Sequence, residues 1–308
     1  GINSSENYTS NKSPLYGFGN NNSGDTGLKD DMLDGHFINQ AVKPGNQPAK
    51  TILEKCAYGL VTDSLSADGY PQIRAGAPDL FNPQAKLAGK TEIPGRSLTF
   101  ERDGDTYTLK AVAGSGNHAV DLNQFQKGAV AWKTEDRIWT NQFWPMDNAN
   151  TFGASGHDPR FGTHAQYKSM GLINADDGQE HNSFFGMNFE VDFELTDDYV
   201  GPLNYYFFGD DDMWVFLEYP DGTTKLICDI GGVHQAAGEY VDLWNYIQKP
   251  TDEDAANKTD TDEERTQSYK LKFFYTERGA SGSTCWMQFT LPSVNAVPVI
   301  DYTGNVKS

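Results

Sequence analysis

The sequence predicts an all-β protein built as an antiparallel β-sandwich, and three observations carry that reading. Aromatic residues make up 13% of the 308 residues and glycines number 31, a mixture that suits strands joined by many turns. In the second half, apolar residues alternate with polar ones over short runs, the period of a strand with one buried face. Those runs follow one another through short turns, with no helix-period run between them, which is the pattern of an antiparallel sandwich.

Taken in order, residues 1 to about 50 are polar and turn-rich, centred on Asn20-Asn21-Asn22-Ser23-Gly24-Asp25, with a short helix expected around Lys29 to Leu33. Ile52 to Val61 reads as one short helix ending near Gly59. Residues 66–95 hold Pro71, Pro78, Pro83 and Pro94 and no periodic run, so a long ordered connection or a subdomain cap without regular elements is expected. Ser97 to Arg102 and Thr106 to Val112 flank Asp103-Gly104-Asp105 and predict a hairpin. Trp132, Trp139 and Trp144 read as core and loop anchors. Residues 146–183 are a long loop rich in oxygen ligands, as solvated turns or as a second cation site.

From Phe185 onward the strands are clear. Phe189, Val191, Phe193 and Leu195 alternate with Glu190, Asp192 and Glu194. Tyr205 to Phe208 and Trp214 to Leu217 are buried runs, and Pro220-Asp221-Gly222 turns the chain into Thr224 to Ile230. Asp252 to Glu264 is acidic and has no apolar anchor, so an exposed loop is expected. Tyr269, Leu271, Phe273 and Tyr275 alternate again, as do Met287, Phe289 and Leu291. The expected division is a loop-rich portion, residues 1–95, packed on a sandwich of residues 96–308.

Charge narrows the function. A net charge of −19 argues against nucleic acid and anionic membranes, which select basic surfaces. No stretch of 18 apolar residues offers a membrane span. Three cysteines, Cys56, Cys228 and Cys285, make no dense disulfide scaffold and no metal-ligand CxxC spacing. His157, His181 and His234 match no zinc signature.

The most informative stretch is Phe207 to Leu217, in which Asp210-Asp211-Asp212 stand between two apolar runs. Three adjacent like charges need a cation, strong hydrogen bonds or open solvent. A hard cation such as Ca²⁺, which takes roughly 6–8 oxygen ligands, answers that need. A solvated strand-to-strand turn is the other reading.

Three motifs then become recognisable: Phe208-Gly209-Asp210-Asp211-Asp212-Met213-Trp214-Val215-Phe216, Asp229-Ile230-Gly231-Gly232-Val233-His234, and Phe273-Phe274-Tyr275-Thr276-Glu277-Arg278-Gly279. In order and spacing they resemble the fibro-slime domain, a relative of the β-sandwich of anthrax protective antigen and the flocculin-type lectins, over about residues 180–295. Asn141 to Asp158 looks like the large wall-anchored surface proteins of Gram-positive gut bacteria. The resemblance implies a jelly-roll sandwich with a Ca²⁺ site at one end, in an extracellular adhesin on a bacterial cell surface. It implies Asp210 and Asp211 as the paired metal ligands, joined by a cis peptide. Glu277 stands where the lectins have Asn, with backbone oxygens from Gly279 and Ser281 completing the shell. The ion would then bind the hydroxyls of a host glycan of mucin or blood-group type.

Around that shell, Asp212 is expected as a supporting group or a ligand for hydroxyls. Arg278 either pairs with Glu277 or contacts ligand. His234 either caps a tight turn or, with Gln235, contacts ligand beside the metal. Tyr240, Trp244 and Tyr246 are candidates to stack on a sugar or to pack in the core. Cys228 and Cys285 are candidates for a disulfide with Cys56 left over, and three reduced, buried thiols are the equal alternative.

The first reading is therefore a Ca²⁺-dependent glycan-binding domain, not an enzyme. A structural surface module with Ca²⁺ as a staple is the alternative. A glycoside hydrolase using Asp210, Asp211 and Glu277 ranks below both, because three consecutive aspartates suit a cation better than a catalytic pair. No nucleophile elbow, phosphate loop or zinc helix is present.

Overall fold

A computed structural model describes residues 59–73, 81–85, 98–109, 125–126, 129–130, 143, 185–209, 212–231, 237–251, 266–277, 283–295, 299–300 and 306–307. Its strands are β1 (Val61–Leu65), β2 (Pro71–Ile73), β3 (Phe100–Asp103), β4 (Thr106–Leu109), β5 (Phe125–Gln126), β6 (Ala129–Val130), β7 (Phe185–Thr196) and β8 (Asn204–Gly209). They continue as β9 (Asp212–Glu218), β10 (Thr224–Ile230), β11 (Ala237–Asp242), β12 (Thr266–Glu277), β13 (Cys285–Thr290), β14 (Val294–Asn295), β15 (Val299–Ile300) and β16 (Val306–Lys307).

The predicted all-β antiparallel sandwich is present. One five-stranded sheet has the order β10-β9-β12-β7-β14 and the other β11-β8-β13-β4-β3. The expected Phe100–Leu109 hairpin is β3-β4, turning at Gly104 with φ +60°, a backbone angle that favours glycine. Alternation decides the faces. Met213, Val215 and Leu217 of β9 and Leu271, Phe273 and Tyr275 of β12 point inward, to meet Tyr205 and Phe207 of β8 and Met287 and Phe289 of β13. Tyr205 lies edge-on to Phe273 at 5.3 Å between centroids, so the two inner faces interlock. Each such side chain contributes about 1.5–3 kcal/mol by leaving water.

The outer face of the first sheet is covered as well. Trp214 and Phe216 of β9 and Phe274 of β12 form a second cluster with Leu60, Val61, Leu65 and Phe81. Phe81 stands edge-on to Phe274 at 5.1 Å. Three polar ties hold this segment: Gly59 N donates to Asp229 Oδ2 at 2.8 Å, Leu65 N to Thr224 Oγ1 at 2.9 Å, and Lys225 Nζ to Asp63 Oδ2 at 2.8 Å.

Two local expectations change. Val61 belongs to a strand, not to the end of a helix; residues 52–58 lie outside the described residues. Residues 66–95 were expected to hold no regular element, yet Pro71–Ile73 pairs with β1 across a turn at Gly69, φ +83°. Pro71 is tolerated because it opens the short strand β2. The expected helix near Lys29, the tryptophans at 132, 139 and 144 and the loop 252–264 lie outside the described residues.

Candidate functional site

The β8–β9 connection is not a hairpin within one sheet. β8 belongs to the second sheet and β9 to the first, so the chain crosses the sandwich between Gly209 and Asp212. Two further crossings, β10 to β11 and β12 to β13, have their strand ends at the same place. Ile230 pairs with Met213, Ala237 with Gly209, Thr276 with Asp212, and Cys285 with Gly209. The strand ends bordering Asp210-Asp211, residues 232–236 and residues 278–282 therefore gather at one end of the sandwich. Asp210, Asp211, His234, Gln235, Arg278, Gly279 and Ser281 themselves lie outside the described residues, as do the Asp210–Asp211 peptide bond, residues 146–183 and Cys56.

The described residues of this end are tightly packed and acidic. A Cβ on Gly209 would collide with the Thr284 carbonyl and lie 2.6 Å from the Phe207 ring. Glycine is needed here for close backbone approach, and that approach sets the start of the Asp210-Asp211 crossing against the entry to β13. Asp212, Thr276, Glu277, Ser283 and Thr284 are all buried. Asp212 follows the outward alternation of Trp214 and Phe216, and its Oδ2 accepts from Thr276 Oγ1 at 2.9 Å. Glu277 follows the inward alternation of Phe273 and Tyr275 and is 1% exposed. The Tyr275 hydroxyl lies 3.4 Å from both Glu277 Oε2 and the Thr284 carbonyl, long for a hydrogen bond. Ser283 is fully buried and its Oγ has no hydrogen-bond partner among the described residues, while its carbonyl accepts from Phe143 N at 2.9 Å. Among the described residues no three His, Cys, Asp or Glu side chains stand together as a metal-holding group.

The aromatic candidates lie elsewhere. β11 runs from Ala237 opposite Gly209 to Asp242 opposite Asn204, so Trp244 and Tyr246 fall beyond the far end, roughly 17 Å away along the strand. Trp244 Nε1 donates to the Gly201 carbonyl at 2.9 Å, its ring leans on Tyr199 at 6.1 Å, and the Lys249 ammonium lies 5.7 Å from its centroid. Tyr240 sits midway on the outer face of the second sheet against Tyr206, with centroids 4.7 Å apart. Burial, and then the Asp242 carboxylate, raise the Tyr240 phenol above its ordinary range.

The expected disulfide is not formed, and Cys228 and Cys285 are buried thiols. Cys228 sits on the first strand of its sheet and Cys285 on the third strand of the other. Two strand spacings sideways plus the gap of about 10 Å between sheets exceed the reach of about 7 Å that a disulfide allows. Burial, then Cys228 and Cys285, push the Tyr205 phenol well above the usual value, and its hydroxyl has no hydrogen-bond partner among the described residues.

Sequence reasoning missed Gly209, Tyr275, Ser283, Thr284 and Glu239. Glu239 lies on the inward face of β11 beside Phe207 and Val241, and burial, then the Asp229 carboxylate, push its carboxyl up to about 8. Within the Ser281-Gly282-Ser283-Thr284 run no periodicity distinguishes a buried serine from a loop serine.

The fold defines an all-β antiparallel sandwich with Asp212, Thr276, Glu277, Ser283 and Thr284 buried near the strand ends at one edge. Its relatives are proteins of Dictyostelium discoideum. Protein psiI is 31% identical over 131 residues, 42% of this chain and 15% of that protein. Protein psiH is 30% identical over 124 residues, 40% of this chain and 14% of that protein. Protein psiD is 34% identical over 125 residues, 39% of this chain and 20% of that protein. The chain thus spans a fifth or less of the length of these curated relatives. No family model and no solved structure matches it.

These eukaryotic relatives overturn the expectation of a Gram-positive bacterial fibro-slime adhesin. The fold shows what the motif contains. The apolar side chains of Phe207, Met213, Val215 and Leu217 fill the space between the sheets, while Trp214 and Phe216 pack on the outer face of the first. Among the described residues no helix is long and apolar enough to cross a membrane.

Proposed function

We propose that this chain is a Ca²⁺-dependent glycan-binding module that works outside the cell and carries out no catalysis. Asp210, Asp211 and Glu277, with backbone oxygens of Gly279 and Ser281, would hold the ion, and the ion would orient vicinal sugar hydroxyls. The observation that supports this most is that the described residues flanking Asp210-Asp211 are held close to other oxygen donors: Gly209 lies against the Thr284 carbonyl, and Asp212 pairs with Thr276 at the end of β12. The donor chemistry there is carboxylate, hydroxyl and carbonyl oxygen, the set that hard cations take. Sites of moderate affinity load where Ca²⁺ is abundant, which favours an extracellular setting.

A hydrolase fits less well. It needs two carboxylates facing each other across an open cleft. Of its candidate carboxylates Asp210 and Asp211 lie outside the described residues, and Glu277 is buried rather than open to a cleft.

Burial of Glu277 also favours a second reading, in which the ion only staples the loops and presents no open position to a sugar. Thermal unfolding with Ca²⁺ and with chelator, on the wild type and Asp211→Ala, tests the shared premise. A Ca²⁺-dependent rise in melting temperature that Asp211→Ala abolishes is expected. No rise in the wild type refutes both readings.

A further inference from the structure

Resting on the cation reading of the acidic end, we infer that Ser283 is a further ligand of the ion, its hydroxyl reaching in from the second sheet to face Glu277 of the first. The ion is then clamped between the two sheets, not merely held by a surface loop.

Three observations carry this. Ser283 is fully buried and its Oγ has no hydrogen-bond partner among the described residues. A buried hydroxyl left without a partner is costly, and a site that keeps one has a use for it or a group to fill it. Second, Ser283 stands two residues before Cys285, the inward-facing first residue of β13, and is itself fully buried. Glu277 takes the corresponding inward place at the end of β12. Third, the Tyr275 hydroxyl touches both sides, 3.4 Å from Glu277 Oε2 and 3.4 Å from the Thr284 carbonyl. That contact leaves one tyrosine hydroxyl between the Glu277 carboxylate and the carbonyl of Thr284, the residue next to Ser283.

The Ser283 carbonyl is already occupied by Phe143 N, which fixes the serine backbone and leaves the hydroxyl as its available oxygen. The Phe143 ring, edge-on to Tyr275 at 5.9 Å, closes the same corner from the side. Hydroxyl and carboxylate are both hard donors, so the ion class is Ca²⁺ or a similar hard cation rather than Zn²⁺ or a soft metal. Pinned at both ends, the ion couples its own binding to the spacing of the sheets.

The test uses the whole chain, Ca²⁺ titrations by calorimetry and melting in chelator. Ser283→Ala should weaken Ca²⁺ binding by about tenfold, the scale at which losing a ligand changes such sites. Its melting temperature in chelator should be unchanged or higher, because an unsatisfied buried hydroxyl has been removed. Ser283→Cys puts a soft sulfur in the same place. It should bind Ca²⁺ weakly and shift the Cd²⁺-over-Ca²⁺ preference by about tenfold or more relative to wild type, a change that a packing role would not produce. Wild-type Ca²⁺ affinity in Ser283→Ala, or an unchanged metal preference in Ser283→Cys, overturns the assignment and leaves the cation reading standing. A wild type that binds no Ca²⁺ overturns both.

Discussion

Replacing Glu239 by glutamine should stabilise the sandwich, and the gain should grow with pH. Glu239 is half-buried on the inward side of β11 beside Phe207, with Asp229 of β10, Tyr205 of β8 and Tyr246 as its ionisable neighbours. Burial first and the Asp229 charge second hold its carboxyl at about 8, against an ordinary 4.5. Below pH 4.5 the group is protonated in folded and unfolded chains alike and costs nothing. Between 4.5 and 8 only the unfolded chain releases the proton, so the folded state loses stability as pH rises. Each pH unit of that window is worth about 1.4 kcal/mol, giving roughly 3 kcal/mol at pH 7 and roughly 5 kcal/mol above pH 8. Glutamine is neutral throughout and nearly the same shape. Urea unfolding of both proteins at half-unit steps from pH 4.5 to 8.5 reads the difference directly, and other titrating groups cancel. Stabilities that stay parallel across the range would refute the reasoning, because they would mean Glu239 ionises in the folded chain as it does in water.

Three further outcomes follow from the packing. Gly209→Ala forces a Cβ against the Thr284 carbonyl and the Phe207 ring, and should cost more than about 2 kcal/mol in denaturant unfolding and weaken Ca²⁺ binding. Asp229→Ala removes the acceptor of Gly59 N at 2.8 Å and of Trp214 Nε1 at 3.1 Å. It should cost about 2–3 kcal/mol, with earlier proteolytic cutting of residues 59–73 and altered Trp214 fluorescence. Trp244→Ala should leave Ca²⁺ and glycan binding at wild-type levels while lowering the melting temperature, since Trp244 lies at the far end and ties to Gly201; lost glycan binding would contradict that placement.

Strands with strict alternation were legible because burial of one face writes itself into the sequence. Phe189 to Leu195, Tyr269 to Tyr275 and Met287 to Leu291 are cases, and the Pro220-Asp221-Gly222 turn shows as Gly222 at φ +82°. Period alone does not say which strand lies beside which. The crossing at Asp210-Asp211 therefore read as a turn or a metal loop, but not as a change of sheet. The same gap misplaced Trp244 and paired Cys228 with Cys285. β11 was missed because an inward Glu239 breaks its alternation, and β1 because only Val61 and Leu65 at its ends are buried. Asp212 illustrates a subtler limit. Adjacency grouped it with Asp210 and Asp211, but strand alternation turns it outward onto Thr276.

The measurement that bears most directly on the proposed function is a glycan array probed with the whole chain in Ca²⁺, then in chelator, with Asp211→Ala alongside. Binding to a defined set of glycans that disappears under both treatments is the predicted result. Glycan binding that persists in chelator and in Asp211→Ala would contradict it, as would the absence of any bound glycan in Ca²⁺.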